Sequence, residues 1–454
     1  MSFVGGTEQV AKGGREVSTN VITDQAARLT LHLLDELFTG DAALSVGVRL
    51  WDGTRWPDNS PRPVMLVLKH PGALRAMLLP GSEVGMGEAY LYDDFDIEGD
   101  IESVFGVADA LAGATSGWRR KLRAGSDLVR LPASGGPRPA RRGTARLSGR
   151  RHSVERDRQA VTYHYDVSND FYALWLDQRM VYSCAYFHSP DDELDDAQER
   201  KLDYLCRKLR LKPGQRLLDI GCGWGGLVMH AAQHYGVDAT GITLSRPQAE
   251  LANRRITSAN LSGRSRVEVR DYRQVPPGGP EGYDALVSVG MFEHVGAALL
   301  QSYFAQAWQL LKPGGVFLNH GIASRAMDKP QRGPTFSNTY VFPDGELTPI
   351  NVTLHAAEEA GFEVRDVESL REHYALTLRL WVRRLEAHHD QALQFVDEPT
   401  YRVWRLFMSG SAYGFATGRH NVYQALMVRP DRRGQSGLPL TRADWYSGGG
   451  SGRV

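Results

Sequence analysis

The stretch LLDIGCGWGG at 217–226 constrains the fold of this chain more than any other. An apolar run ends in Asp219, and glycines follow at 221, 223 and 226, which satisfies the G-x-G-x-x-G pattern of a tight turn between a buried strand and a helix. Such a turn is typical of a parallel sheet and holds a ligand at the N-terminus of its helix. The residues around the turn therefore decide which ligand is expected.

Strand-like and helix-like segments alternate on both sides of this turn. Apolar residues at helical spacing precede it in AQERKLDYLCRKLRL. Apolar runs predict strands in QRLLDIG, VDATGITLS, SRVEVRDYR, YDALVSVGMFEHV and VFLNHGIAS, and the segments between them predict helices. The sequence therefore predicts an α/β fold with a doubly wound, mostly parallel sheet, whose ligands bind beyond the carboxyl ends of the strands.

The residues beside the glycines favour S-adenosylmethionine over a dinucleotide. A dinucleotide site places an acidic residue at the end of the second strand, where this chain has Thr243, Leu244 and Ser245. The Asp219 carboxylate would repel a pyrophosphate but suits a cationic ligand with an amino-acid end. Asp219, the Asp-Tyr pair at 271–272 and the LKPGG turn together favour S-adenosylmethionine, and dinucleotide binding is the second interpretation.

Composition limits the remaining function classes. Lys+Arg and Asp+Glu both total 53, so no net field favours nucleic acid. No long apolar run or charged-then-apolar leader is present, so neither a transmembrane helix nor a signal peptide is predicted. The three cysteines, Cys184, Cys206 and Cys222, show no C-x-x-C or Cys/His pairing. This pattern argues against disulfides and against zinc, and it favours a reducing cytoplasm. No metal site is predicted.

The chain of 454 residues is long enough for more than one domain. The segment 118–151 has eleven Arg and Lys against one acid, which predicts a linker. A tether to an anionic membrane surface and a plain solvated linker are equally good interpretations of it, and RNA contact is a further alternative. The predicted division is a flexible N-terminus over 1–20, a smaller α+β domain over 21–117, a basic flexible linker over 118–154, a catalytic domain over 155–430 and a flexible tail over 431–454.

Five motifs extend the argument beyond the glycine turn. They are YHYDVSNDFYALWLDQRMVYSCAYF, LLDIGCGWGG, GITLSRPQ, VSVGMFEHVG and NHGIAS. In this order they resemble the cyclopropane-fatty-acyl-phospholipid synthases and the mycolic acid cyclopropane synthases over roughly residues 160–430, and the first domain resembles the N-terminal part of the bacterial phospholipid enzymes more loosely. The resemblance implies a Rossmann-like class I methyltransferase domain that uses S-adenosylmethionine.

The reaction that the resemblance implies is transfer of the methyl(ene) carbon to the cis double bond of an unsaturated phospholipid acyl chain, through a carbocation, to give a cyclopropane. Its cofactor site maps onto Tyr182, Ser183, Asp219, Gly221, Gly223, Trp224, Thr243, Leu244, Ser245, Gln248, Asp271 and Tyr272. For Trp224, core packing is an equally good interpretation, and Cys222 is expected to be a small buried residue.

The resemblance also implies a bicarbonate ion as the catalytic base. The groups expected to hold it are Cys184, Glu293, His320, the backbone of Ile322, and Tyr374. Aromatic faces for the cation are expected among Tyr163, Tyr165, Tyr186, Phe187, Tyr340 and Phe342, although most of these also suit an acyl tunnel. Ser411 stands where relatives often have cysteine, so no covalent role is expected there.

The product and the partners are less constrained than the reaction. A hydride shift before deprotonation would give a 10-methylene chain, and a reductase would then be a partner. A homodimer and peripheral attachment to the membrane from the cytoplasm are further expectations. Two other classes stay open: a methyltransferase of small amines or sterols, and a non-catalytic lipid-binding protein. The aromatic segment FMSGSAYGFATGRHNVYQALM near the C-terminus disfavours the first class, because an enzyme for small substrates would not need it. The set Cys184, Glu293 and His320 disfavours the second class.

Overall fold

The structure is a computed structural model that describes residues 25–38, 45–114, 125–133, 143–165, 167–328 and 333–446. Contacts divide the chain into two compact units. The first comprises 1–143, 334–336 and 398–406, and the second comprises 144–333, 337–397 and 407–454. The predicted division placed the two later segments of the first unit in the catalytic domain.

The first unit contains a four-stranded sheet in the order β2-β1-β3-β4. Its strands are β1 (Val46–Arg49), β2 (Arg55–Trp56), β3 (Val64–Leu68) and β4 (Phe95–Gly99). β1 and β2 form an antiparallel hairpin, whereas β1 and β3 are parallel. Its helices span 25–37, Ala73–Leu78, Glu83–Leu91, Ser103–Ala114 and 125–130. The N-terminal part is therefore a mixed α and β unit, as the sequence predicts.

Part of the basic segment packs within the first unit. Leu128 and Leu131 are buried, and Arg75 donates hydrogen bonds to the carbonyls of Val129 and Leu131 at 2.9 and 2.8 Å. Leu128 lies on the short helix and Leu131 directly follows it, so their burial holds this segment in the first unit. Over 125–131 the structure thus differs from the predicted flexible linker. The neighbouring segments 115–124 and 134–142 lie outside the described residues.

The second unit is built on a seven-stranded sheet in the order β10-β11-β9-β8-β5-β6-β7. Its strands are β5 (Arg216–Ile220), β6 (Asp238–Thr243), β7 (Ser265–Val269), β8 (Tyr283–Val289), β9 (Leu311–Ser324), β10 (Glu363–Ser369) and β11 (His420–Val428). β5 to β9 are mutually parallel, and β11 runs antiparallel to both of its neighbours. The predicted α/β class with a doubly wound, mostly parallel sheet is confirmed.

Helices cover both faces of this sheet, as parallel strands require. They span Val154–Tyr165, Asn169–Ala173, Leu194–Lys208, Gly226–Tyr235, Arg246–Ser258, Leu300–Leu310, Ile350–Glu359, Arg371–Ala387, His389–Ala392 and Ala443–Tyr446, with short 3-10 turns at Tyr272–Gln274, Gly279–Glu281, Phe292–His294 and Ala297–Leu299. The helices Phe336–Tyr340 and Glu398–Ala416 contribute residues to both units. Two apolar clusters fill the space between helices and sheet, one on each face.

The end of the described chain is packed rather than free. Trp445 is 2% exposed, and its carbonyl accepts a hydrogen bond from Arg207 at 2.7 Å. The Asp444 carboxylate pairs with Arg210 at 2.9 Å. Over the helix Ala443–Tyr446 the structure therefore differs from the predicted flexible tail, because one tryptophan buries a large apolar area. Among the helices of the described ranges, none is long and apolar enough to cross a membrane.

Candidate active site

A cavity opens in the second unit at the carboxyl ends of its parallel strands. All but one of the residues predicted to hold the cofactor line it: Tyr182, Ser183, Asp219, Gly221, Gly223, Trp224, Thr243, Leu244, Gln248, Asp271 and Tyr272. The exception is Ser245, which caps the helix Arg246–Ser258 by accepting the Gln248 N–H at 3.4 Å. Ser245 thus shapes the wall of the cavity without lining it.

The glycine turn brings the backbone close to the cavity. Gly221 and Gly223 have φ angles of +83° and +54°, a region that favours glycine. A Cβ on Gly221 would lie 2.8 Å from the Met291 side chain, so this position has no room for one. The N–H groups of Gly221 and Cys222 donate to the Ile242 carbonyl at 2.9 and 3.0 Å, which ties the turn to β6. Glycine at this turn is therefore a steric requirement.

Asp219 is the buried acid of the cavity. Its side chain is 3% exposed, and burial raises its pKa to about 7, while the Lys201 ammonium acts in the opposite direction. Burial also lowers the pKa of Lys201 to about 8, against the attraction of Asp177, Cys184 and Asp219. The cavity therefore holds a carboxylate and an ammonium that titrate near neutrality.

Sequence reasoning missed Lys201, although it lines the cavity. Its ammonium donates to the Ser183 hydroxyl at 2.9 Å. Gln198, one turn earlier on the same helix, donates to the carbonyls of Val181 and Ser183 at 3.3 and 2.8 Å. The sequence does contain a signal of this pair, since Gln198 and Lys201 stand on the apolar face of the helix that Leu202 and Leu205 define. An unpaired charge on such a face is costly, so a lysine there indicates a buried partner.

Other polar contacts fix the walls of the cavity. The Thr243 hydroxyl donates to Gln248 Oε1 at 2.8 Å. Trp224 is 1% exposed and donates from its indole N–H to Asn169 Oδ1 at 2.7 Å, so it both packs in the core and lines the cavity. Arg273 binds both carboxylate oxygens of Asp271, at 2.7 and 2.6 Å. These side chains are held in place before any ligand arrives.

A second polar cluster lies beside the cavity, and Glu293 is its acid. Glu293 follows β8 in the turn Phe292–His294, and its Oε1 accepts the Ile322 N–H at 2.7 Å. Its Oε2 is buried and has no hydrogen-bond partner among the described residues. Burial raises the pKa of Glu293 to about 7, although the Ile322 N–H opposes this. The backbone of Ile322 was expected to help hold the anion, and its N–H is donated to Glu293.

The imidazole expected in this cluster belongs to His320, which lies on β9 two residues before Ile322. Its side chain is 2% exposed, and its Nδ1 lies 3.3 Å from Gln424 Nε2 on β11. Within the described ranges, its Nε2 is buried without a hydrogen-bond partner. Burial holds the pKa of His320 well below its usual value, and Lys201 and Lys208 lower it further. His320 is therefore neutral, with one ring nitrogen unused.

Cys184 and Tyr374 complete the cluster. Cys184 is fully buried, which raises its pKa, and its thiol donates to the Leu370 carbonyl at 3.7 Å. The N–H of Tyr374 donates to the same carbonyl at 3.1 Å. Burial raises the pKa of Tyr374, and Cys184 and Glu293 raise it further because they lie close to its hydroxyl. Hydrogen bonds thus link Glu293 to Ile322, and Cys184 to the backbone of Tyr374 through the Leu370 carbonyl, while His320 lies two residues from Ile322 on β9.

The six candidate aromatic residues do not share one location. Tyr165 lines the cavity, and Phe342 packs against His294 of the cavity wall with ring centroids 5.8 Å apart. Tyr186 instead stacks on His373 at 4.9 Å. The residues that do not line the cavity include Tyr163, Phe187, Tyr340 and Ser411.

Known proteins share this sequence and fold. The sequence pattern of the mycolic acid cyclopropane synthetase family matches residues 152–425. A probable fatty acid methyltransferase of Pseudomonas putida is 42% identical over 89% of this chain and 96% of its own length. The cyclopropane-fatty-acyl-phospholipid synthase of Escherichia coli is 32% identical over 82% of this chain and 89% of its own.

Two further proteins bear on the product and the cofactor. The tuberculostearic acid methyltransferase UfaA1 of Mycobacterium tuberculosis is 32% identical over 83% of this chain and 86% of its own. The crystal structure of the mycolic acid cyclopropane synthase CmaA1 with SAH and CTAB has a TM-score of 0.56 at 36% identity, and it covers 60% of this chain and 97% of its own.

Proposed function

This chain belongs to the mycolic acid cyclopropane synthetase family of S-adenosylmethionine-dependent methyltransferases, and we propose that it adds a carbon to the cis double bond of an unsaturated phospholipid acyl chain to form a cyclopropane. One observation carries the proposal. Two buried groups have no partner among the described residues, Glu293 Oε2 and His320 Nε2, and the Ile322 N–H that binds Glu293 lies two residues from His320 on β9.

The cavity fits S-adenosylmethionine, which supplies an electrophilic methyl group on a sulfonium. We propose that Asp219 binds the cationic amino-acid end and that Thr243 and Gln248 bind polar atoms of the ligand. The glycine turn lets the backbone approach closely, and Lys201 keeps Asp219 partly ionised near neutral pH. The charges of Asp219 and Lys201 offset each other, so the polar wall of the cavity carries little net charge.

The second cluster fits a small oxyanion such as bicarbonate, which would supply a base close to the substrate. A carboxyl with a pKa of about 7 is available as an O–H donor, and the unpartnered His320 nitrogen and the Tyr374 hydroxyl are the further groups that we propose hold it. The Ile322 N–H holds Glu293 in position for this purpose. An unpaired buried polar atom is costly, so a ligand that pairs two of them would stabilise the site.

The chain's own residues then protect the reacting carbon. We propose that Tyr165 presents its π-face to the cation that forms on the acyl chain, since this ring lines the cavity and is close to Glu293. The buried aromatic side chains around it exclude water, which would otherwise capture the cation. Cys184 stays a neutral thiol, because burial raises its pKa.

A second product is supported by one comparison. The similarity to a tuberculostearic acid methyltransferase favours a methyl-branched or 10-methylene chain as the alternative outcome, in which case a separate reductase would complete the branch. We also propose a phospholipid headgroup on the substrate, a homodimer and peripheral attachment to a membrane. Methylation of a small amine or a sterol is the least supported function, because the names of the two relatives specify fatty acids or fatty acyl chains.

Proton NMR of the lipid product tests the proposal. Purified protein is given S-adenosylmethionine and a phospholipid with cis-9 oleoyl chains. Upfield resonances of cyclopropane protons are the expected result, whereas olefinic resonances would establish the methylene product. Methylation of a soluble amine, with no carbon added to the lipid, would refute the proposed function.

A further inference from the structure

Three buried side chains form a line that ends at His320. The Lys208 ammonium donates to Gln424 Oε1 at 2.8 Å, and Gln424 Nε2 lies 3.3 Å from His320 Nδ1. Lys208 and Gln424 have no exposed surface, and His320 is 2% exposed. The line runs from the helix Leu194–Lys208 through β11 to β9. Its contacts involve His320 Nδ1 and leave free the Nε2 atom that is proposed to hold the anion.

Lys208 is held as a charged group. Its ammonium lies 2.5 Å from the Glu368 carboxylate, which also accepts a hydrogen bond from the Tyr204 hydroxyl at 3.0 Å. The rings of Tyr204 and Trp445 lie 4.6 and 5.3 Å from the same ammonium. Burial lowers the pKa of Lys208, but the paired carboxylate raises it. A buried ammonium with this pairing donates hydrogen bonds and accepts none.

This charge settles the orientation of the Gln424 amide. Because an ammonium only donates, the oxygen of the amide has to face Lys208, and the NH₂ group has to face His320. The nitrogen of His320 that meets an NH₂ group has to accept, so the ring proton resides on the other nitrogen. The unpartnered Nε2 is then an N–H donor on the strand that also carries the Ile322 N–H bound to Glu293.

We propose that Lys208 and Gln424 are positioning residues that hold His320 as its Nε2–H tautomer, so that the ring donates a hydrogen bond to an anion in the cluster. The inference rests on the proposed function only for the identity of that anion. A neutral imidazole with the opposite tautomer would present a lone pair there and repel an anion. In a comparable arrangement in serine proteases, loss of the group that fixes the histidine tautomer lowers kcat by about 10⁴-fold.

The test replaces the amide by a carboxylate of the same shape. In Gln424→Glu both oxygens accept, so Lys208 keeps its partner while His320 Nδ1 has to donate. The expected result is a change of tautomer, read from the nitrogen chemical shifts of ¹⁵N-histidine-labelled full-length protein, with the signal assigned by His320→Gln. Turnover of oleoyl phospholipid should fall about 10²-fold or more, with the affinity for S-adenosylhomocysteine unchanged in calorimetry.

Control variants keep the test decisive. Gln215→Glu places the same chemical change before β5, at the opposite end of the sheet from the cavity, and should alter neither the tautomer nor turnover. If Gln424→Glu does not fold, Lys208→Met removes the donor instead and should give a mixture of both tautomers. An Nδ1–H tautomer in the wild-type protein would overturn the inference, as would unchanged turnover after a proven tautomer change. An Nε2–H wild-type ring that changes in Gln424→Glu supports the inference even if no lipid is modified, which would refute only the proposed function.

Discussion

The carboxylate of Glu293 and the backbone N–H of Ile322 are joined by a hydrogen bond of 2.7 Å between the ends of two neighbouring strands. One oxygen of Glu293 is thereby fixed, and the other is buried and unpartnered within the described part of the chain. Glu293 does not line the cofactor cavity. The structure therefore separates the group proposed to act on the anion from the groups proposed to bind the methyl donor.

Glu293→Gln is expected to remove turnover and to spare cofactor binding. The amide oxygen can still accept the Ile322 N–H, but the side chain can no longer exchange a proton, so a loss of about 10² to 10⁴-fold in kcat is expected. Lipid assays and calorimetry with S-adenosylhomocysteine measure the two quantities. Glu363→Gln, at a carboxylate on β10 that is 44% exposed, is the matched control. An equal loss of binding and rate would assign Glu293 to the cofactor cavity.

The affinity for S-adenosylmethionine is expected to rise with pH through about 7. Burial raises the pKa of Asp219 to about 7, so the carboxylate is partly protonated at neutral pH and becomes fully charged only above it. A cationic ligand binds the charged form better, and Asp219→Asn should therefore bind more weakly and show a shallower rise between about pH 6 and pH 8, because only the Lys201 ammonium still titrates in the cavity near that range. Calorimetry across this range measures the slope. If the affinity of Asp219→Asn rises with pH as steeply as that of the wild type, another group causes the slope.

Lys201→Met is expected to move that profile to higher pH. The Lys201 ammonium lowers the pKa of Asp219, and its removal leaves burial unopposed. The carboxylate then ionises only above pH 7, and binding at neutral pH weakens. Lys312→Met removes a partly exposed lysine that pairs with Asp284 at 3.2 Å, away from the cavity, and should leave the profile in place. If Lys201→Met and the wild type show the same dependence of affinity on pH, the role of Lys201 in lowering the pKa of Asp219 is contradicted.

Trp445→Ala is expected to reduce the free energy of unfolding by about 3 kcal/mol or more, because it empties a site that is 2% exposed. Urea unfolding measures the change. Leu440→Ala lies in the same segment but is fully exposed, and a change within about 0.5 kcal/mol is expected there. Equal effects of the two substitutions would show that the end of the chain is not packed in solution.

Replacing the arginines of 118–151 by glutamine is expected to weaken binding to anionic liposomes. Each basic residue near such a surface contributes about 1 kcal/mol, and salt screens the attraction. Co-sedimentation at low and high salt measures the effect, and replacement of the same arginines by lysine should preserve binding. If liposome binding at low salt is unchanged after the loss of charge, this segment is a plain linker that does not bind the membrane.

The sequence was sufficient to predict the parallel strands and the cavity at their ends. The glycine turn, Asp219 and the segments after each strand are local patterns, and parallel strands bring their carboxyl ends to one edge. Five predicted strands correspond to β5 to β9. Because the cavity residues lie in short stretches after these strands, their positions along the chain were enough to group them.

Contacts between distant segments were not predictable in the same way. Lys208 and Gln424 are separated by 216 positions, and only the insertion of β11 beside β9 brings Gln424 to His320. No periodicity within either segment encodes that pairing. The packing of Trp445 near Lys208 also depends on tertiary structure. Lysines among the apolar residues of one helix, as at 201 and 208, are local signals of a buried charge that sequence reasoning missed.

The position of β11 also has a consequence for biosynthesis. β11 lies between β9 and β10 in the sheet, but it follows both in the chain. While the ribosome is still adding residues before 420, β9 and β10 have no strand between them, and His320 has no Gln424 beside it. The nascent chain can therefore complete its glycine turn early, while its imidazole is oriented only after 420–428 has emerged. We expect chains arrested before residue 420 to leave the amides of β9 that pair with β11 open to hydrogen exchange, and protection of those amides would contradict this order of assembly.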